Sequence, residues 1–301
     1  RGRAPRICRC TCMSTQSELL TWGSAQLKEL STDSGGASPA AEARYLLAWA
    51  LGVDSLLRAP LEVPPIAEAS YRTAVMKRAR RIPRSHVTGQ MYFRGLKLDA
   101  GEGVFTVRPE TEMLVEHVLE LISKDGIPEG EWVDLCSGSA AIALSLSLEG
   151  KHHVTAVEVD PSAFSYAQRN VAAHAQASVG LVNGDATQAS TLKELGGKVA
   201  LLVSNPPYVP PNEAPTQPEA QRDPAVALYG GGDDGTQIPK LLIDRCRDLL
   251  MKDGLLAMEH SASQAQTLRE YARECGFTQV RTLSDLAGIP RFLFARYTEG
   301  E

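Results

Sequence analysis

The spacing of apolar residues changes along the chain. From Ser14 to about Arg84 they recur at helical intervals, with Leu19, Leu20, Leu27 and Leu30 followed by Tyr45, Leu46, Leu47 and Trp49, the rhythm of helices with one buried face. Turn formers interrupt that rhythm at the Gly/Ser-rich stretch Ser31 to Pro39, at Pro60 and at Pro64-Pro65. A basic run of Lys77, Arg78, Arg80, Arg81 and Arg84 closes the segment; such a run reads first as a solvated helix face and second as a docking patch for an acidic partner. A small helical domain over residues 13–85 is predicted. Residues 86–107 carry short β-like runs with Gly95, Gly101 and Gly103, which predict a linker hairpin.

From residue 108 to 301 short apolar runs alternate with helical stretches. Trp132-Val133-Asp134-Leu135-Cys136 ends in small residues and precedes a helical stretch from about Ala140 to Leu148. His153 to Glu158 repeats the theme ahead of a helix through Ala163, Tyr166, Ala167 and Val171. Further strands are predicted near Val179 to Val182, Val199 to Val203 and Leu255 to Met258, with two more around Val280 and Phe292 to Phe294. A helix through Leu241, Leu242, Leu249 and Leu250 and another ending at Cys275 separate the later ones. Strands alternating with helices build a mostly parallel sheet with right-handed crossovers, so the predicted fold is a doubly wound, Rossmann-like α/β sheet.

Composition narrows the class. The chain's 301 residues suit a main domain plus a smaller one, and 43% hydrophobic with 22% charged residues is ordinary globular usage. No apolar run approaches the roughly 18 residues that cross a bilayer, so no membrane partner is expected. A net charge of -5 offers no overall attraction to phosphate backbones, which disfavours nucleic acid as a partner. Six cysteines in so long a chain do not make a disulfide framework, and a reducing, cytoplasmic setting and a monomer are expected. Residues 1–12 stand apart, since Arg1, Arg3, Arg6 and Arg9 interleave with Cys8, Cys10 and Cys12 ahead of Met13. With no second ligand pair to complete a zinc site and no amphipathic stripe for a transit segment, they read as upstream sequence or a disordered leader, with no metal.

In an open α/β sheet, ligands bind beyond the carboxyl ends of the strands where strand order reverses. The first turn there reads Asp134-Leu135-Cys136-Ser137-Gly138-Ser139-Ala140, small residues that let a ligand approach the backbone at a helix N-terminus. The second strand ends in Glu158, placed to reach ribose hydroxyls, and the next turn carries Asp185 beside Ala186, where an adenine amino group could be met. Three acidic strand ends point to a nucleoside cofactor without phosphate. A dinucleotide, the runner-up, wants a fuller glycine loop. The plain alternative for Glu158 and Asp185 is that each caps the helix that follows.

Asn205-Pro206-Pro207-Tyr208 follows the apolar strand Leu201-Leu202-Val203 and so falls at the same sheet edge. Two prolines fix φ and hold the Asn205 amide and the Pro206 carbonyl as a preset pair of acceptors. A planar nitrogen whose two N–H bonds are accepted while it pyramidalises is stabilised selectively in the transition state, and Tyr208 can lay its π face against the charge developing there. The motif itself fits a glutamine amide and an adenine amino group alike.

These residues resemble the HemK/PrmC family of methyltransferases, which modify the glutamine amide of the Gly-Gly-Gln motif in peptide chain release factors. The likeness rests on Asn205 to Tyr208, Thr88-Gly89, Phe93-Arg94-Gly95, the run Arg108-Pro109-Glu110-Thr111-Glu112, Gly230-Gly231-Gly232-Asp233-Asp234-Gly235, and Glu259 with Gln264. The Arg-Pro-Glu-Thr-Glu run discriminates most. Ribosomal-protein glutamine methyltransferases usually differ there, and adenine-N6 nucleic-acid methyltransferases lack it, so those two activities stand as alternatives. The resemblance implies a seven-stranded methyltransferase sheet, an S-adenosyl-L-methionine cofactor yielding S-adenosyl-L-homocysteine, and release factors as protein substrates. It implies a cofactor site of Asp134, Cys136, Ser137, Gly138, Ser139, Ala140, Glu158, Asp185, Ala186 and Asn205, and a catalytic and substrate-binding clamp of Asn205, Pro206, Pro207 and Tyr208. The helical domain would help grip the release factor. This chain departs from the family at Cys136 and Ala140, where glycine is common.

Overall fold

The computed structural model describes residues 13–29 and 38–298. The leader with Cys8, Cys10 and Cys12 and most of the Gly/Ser-rich break lie outside the described residues. The chain divides into two compact units, residues 1–88 with 217–219, and residues 89–216 with 220–301.

The first unit is helical, with α1 (Gln16–Gln26), α2 (Pro39–Leu51), α3 (Pro65–Ala79) and the short α4 (Arg84–Thr88). Thr15 and Glu18 cap α1 reciprocally, and Gly52 ends α2 in the left-handed region at φ 66°. Leu19, Leu46, Leu47, Tyr71 and Val75 form its core. Tyr71, Ala74, Val75 and Arg78 lie on the buried stripe of α3 at i, i+3, i+4 and i+7, and this corrects the reading of the basic run as a solvated face. Arg78 falls on the inner side and binds the buried Glu42 at 2.7 Å.

The second unit opens with the antiparallel hairpin β1 (Gln90–Phe93) and β2 (Leu96–Asp99), in the region expected to be a linker. It continues through α5 (Pro109–Asp125), β3 (Glu131–Leu135), α6 (Ala141–Gly150), β4 (Val154–Glu158), α7 (Pro161–Ala173), β5 (Val179–Asn183) and β6 (Val199–Ser204). After a long loop come α8 (Ala225–Leu228), α9 (Gln237–Leu249), β7 (Leu250–Glu259), α10 (Ala265–Glu274), β8 (Phe277–Ser284) and β9 (Pro290–Tyr297). Leu250, expected in a helix, instead begins β7 opposite Val199; backbone pairing to the neighbouring strand overrides its place in the helical stripe.

Seven strands pair in the order β5-β4-β3-β6-β7-β9-β8, parallel from β5 to β7 and antiparallel through β9 and β8. The predicted doubly wound α/β sheet is present. Alternation along each strand supplies two cores. Leu201 and Val203 pack with α5, α6 and α7 residues such as Leu114, Leu144 and Ala167, while Leu202 and Leu256 pack with Leu242, Ile243 and Leu268 of α9 and α10. Sequential strands run outward from β3 to β5 on one side and from β6 to β7 on the other, so the switch point lies between the carboxyl ends of β3 and β6.

Candidate active site

The turn after β3 is built from unusual backbone. Cys136, Gly138 and Ala140 have φ of 61°, 55° and 65°, a region that suits glycine and strains the other two. Their conformation is held from several sides. Ser137 N–H donates to Val157 O at 2.9 Å, and Ser204 Oγ at the end of β6 donates to Leu135 O at 2.7 Å. Asn170 of α7, itself buried, donates to Ser139 O at 3.0 Å. Burial, with the negative charges of Glu158 and Asp134 nearby, raises the Cys136 thiol well above its ordinary range, so it is a packing group and not a thiolate nucleophile.

Glu158 does not cap α7. That task falls to Asp160, which accepts from Ser162 N–H at 2.8 Å and Ala163 N–H at 3.0 Å. Glu158 Oε2 instead accepts Gly138 N–H at 2.7 Å and Oε1 accepts Asp160 N–H at 2.8 Å, pinning the β3 turn to the end of β4 with lone pairs remaining on each oxygen. Asp185 behaves otherwise. Its Oδ1 accepts from Thr187 N–H at 2.8 Å and Thr187 Oγ1 at 2.7 Å, and its Oδ2 from Gln188 at 3.3 Å, so it does organise the turn that follows it.

One cavity of about 650 Å³ joins Cys136 to Ser139, Glu158, Asp185, Ala186 and all of Asn205 to Tyr208; this is a size suited to a small-molecule cofactor. Asp134 and Ala140 are buried and do not line it. Beneath the turn, Asp134 Oδ2 accepts Ala143 N–H at 3.1 Å while its Oδ1 is buried without a hydrogen-bond partner among the described residues. Ser137 Oγ is likewise unpartnered, and it belongs to a residue of the cavity wall. A hydroxyl left so in the cavity wall is suited to a polar ligand group.

The Asn205 to Tyr208 turn, the expected clamp, is fixed by bonds that local sequence does not foretell. Asn205 Nδ2 donates to Thr111 Oγ1 at 3.2 Å, which commits the amide nitrogen and leaves Oδ1 as an acceptor. Tyr208 Oη donates to Glu259 Oε1 at 2.9 Å. Gln264 Nε2 donates to Tyr208 O at 2.7 Å and to Asp234 O at 2.8 Å, joining the clamp to the glycine segment. There a Cβ on Gly230 would meet Gly235 O at 1.9 Å, and one on Gly235 would meet Tyr208 O at 2.4 Å, so only glycine permits this approach. Phe105, Arg108 and Thr111 complete the wall. Arg108 pairs with the buried Asp223 and lies over the Phe105 ring at 4.8 Å. The Arg108 to Glu112 run was the one signal in the sequence for this wall, and it carried no assigned role.

Sheet and switch-point cavity define a Rossmann-like α/β fold, and the relatives it matches place the chain among methyltransferases. Two family profiles match, one described as PrmC N-terminal domain over residues 18–89 and one as conserved hypothetical protein 95 over residues 87–217. The chain is 38% identical to the release factor glutamine methyltransferase of Bifidobacterium longum over 93% of this chain and 98% of that one. It is 36% identical to the Corynebacterium glutamicum protein of the same name over 94% and 99%, and 39% identical to that of Mycolicibacterium smegmatis over 87% and 92%. The chain belongs to the release factor glutamine methyltransferase (HemK/PrmC) family.

Proposed function

We propose that this protein transfers a methyl group from S-adenosylmethionine to the side-chain amide nitrogen of the Gly-Gly-Gln glutamine of a peptide chain release factor. The observation that carries the reading is the Asn205 amide, locked by Thr111 with Oδ1 as its available acceptor in the wall of the same cavity as Glu158 and the β3 turn. Names of relatives covering nearly the whole chain support the protein substrate over adenine.

S-adenosylmethionine supplies an electrophilic methyl on a sulfonium. Glu158 would take the ribose hydroxyls and Ser137 to Ser139 would line the methionine side, with Asp185 and Ala186 beside the base. Asn205 Oδ1 and Pro206 O accept the two N–H bonds of the substrate amide, drawing its lone pair out of conjugation and toward the methyl. Tyr208 covers the nitrogen as positive charge builds. No protein base is needed, because the N-methylated amide is strongly acidic until it gives its proton to water.

Incubation with labelled cofactor and either a release factor or bulk DNA tests the substrate; label on DNA alone rejects it. At saturating cofactor, Asn205→Ala should lower turnover by about 10²-fold or more, as loss of an oxyanion-hole donor does. Parent turnover in that variant would reject the clamp.

A further inference from the structure

Asp223 lies in the loop between β6 and α8, is 6% exposed, and does not line the cavity. A carboxylate so deeply buried is costly unless it is paired and hydrogen-bonded. One segment of the chain meets both needs. Arg108 Nη2 donates to Oδ2, and Thr106 N–H donates to Oδ1 at 3.0 Å. These donors are 115 and 117 residues away in sequence.

The two segments joined in this way both contribute to the cavity wall. Phe105, Val107 and Arg108 come from one, and Ala220, Pro224 and Val226 from the other. Each also runs on to the clamp. Thr111 N–H donates to Arg108 O at 3.2 Å in the first turn of α5, and the Thr111 hydroxyl accepts Asn205 Nδ2 at 3.2 Å. From Asp223 the chain reaches Leu228, whose carbonyl accepts Val209 N–H at 2.8 Å, while Gly230 N–H donates to Val209 O at 3.2 Å. Asn205 begins the clamp and Val209 directly follows it. The bonds therefore close a ring, from Asn205 through Thr111 and Arg108 to Asp223, and back through Leu228 and Val209. We infer that Asp223 is a positioning residue for the methyl acceptor, closing this ring from outside the cavity wall. This rests on the clamp reading proposed above.

A carboxylate suits the closing position because it takes two donors of different kinds at once, a guanidinium on one oxygen and a backbone N–H on the other. Opening the ring there leaves every clamp residue present but frees the 105–108 and 220–228 segments to separate, and the clamp is tied to both. Acceptors ordered in advance need no reorganisation in the transition state, so looseness in Asn205 Oδ1 and Pro206 O falls on turnover. Asparagine at 223 would keep an acceptor for Thr106 N–H while turning an NH₂ toward Arg108. Alanine would lose both bonds.

The full chain is assayed for kcat at saturating S-adenosylmethionine and release factor, well below the melting temperature of each variant, so that loss of stability alone does not register. Asp223→Asn should lower kcat about 10-fold, the worth of one charge-assisted hydrogen bond, and Asp223→Ala about 10²-fold, the cost of a misplaced catalytic group. Adding Asp223→Ala to Asn205→Ala should cost clearly less than the product of the two single losses, because both act through the clamp. If Asn205→Ala is slow while both Asp223 variants keep the parent kcat and only melt earlier, or if the two losses multiply in full, the inference is overturned and the clamp stands. If Asn205→Ala itself turns over normally, the clamp and this inference fall together. Should neither Asp223 variant fold, Arg108→Lys decides: it keeps the charge opposite Asp223 without the planar fork and should lose about 3-fold or more in kcat, whereas the parent kcat would overturn the inference.

Discussion

Gly235→Ala should cripple methyl transfer from outside the cavity wall. Gly235 sits at φ +69°, and an added Cβ would lie 2.4 Å from Tyr208 O, 2.8 Å from Pro210 N and 2.9 Å from Gln264 Nε2. To restore ordinary van der Waals contact the Tyr208 carbonyl must retreat by about 1 Å, which strains the Gln264 bond that holds it. A misplacement of about 1 Å at a catalytic group can cost on the order of 10²-fold in rate. Left-handed φ adds roughly 1–2 kcal/mol of backbone strain and forced overpacking about 1–3 kcal/mol more, against a typical domain stability of about 5–15 kcal/mol, so the variant should fold. Gly232→Ala is the matched control, with the same φ of +69° but neighbours no closer than 3.7 Å; it bears the backbone strain alone. Initial rates at saturating cofactor, taken well below both melting temperatures, should show Gly235→Ala about 10²-fold slower and Gly232→Ala within a few-fold of the parent. Equal rates in the two variants would refute the claim that the glycine segment positions the clamp.

Two further outcomes concern the cofactor side. Glu158→Ala should weaken S-adenosylmethionine binding by roughly 10-fold or more, since it removes ribose acceptors and the Gly138 tether together; unchanged affinity in calorimetry would return Glu158 to a purely structural role. Asp134 is pushed up to about 8 by burial, with the Ala143 N–H opposing and the Glu158 charge assisting. Folded protein thus holds a proton that the unfolded chain releases near pH 4, and without cofactor this group's contribution to stability declines as pH rises from about 4 to 8. Asp134→Asn should flatten that decline in melting curves taken between about pH 5 and 8, and an identical slope would reject the assignment.

By itself the sequence determined the helical front region, the alternation of strands and helices, and the two turns that meet at the switch point. All of these are local signals. Apolar period separates helix from strand, small residues after Trp132 to Leu135 mark a close-approach turn, and Pro206-Pro207 stiffens whatever precedes it. Tertiary structure decided what each polar group bonds to. It placed Arg78 inside against Glu42, relieved Glu158 of capping because Asp160 took that role, and left Asp185 to organise its own turn. It also set Thr111 against Asn205 and Tyr208 against Glu259 across separations of 94 and 51 residues. No period or spacing encodes such pairs, because the direction of a hydrogen bond depends on which oxygen arrives from another helix or strand, and that is known only once the elements have packed together.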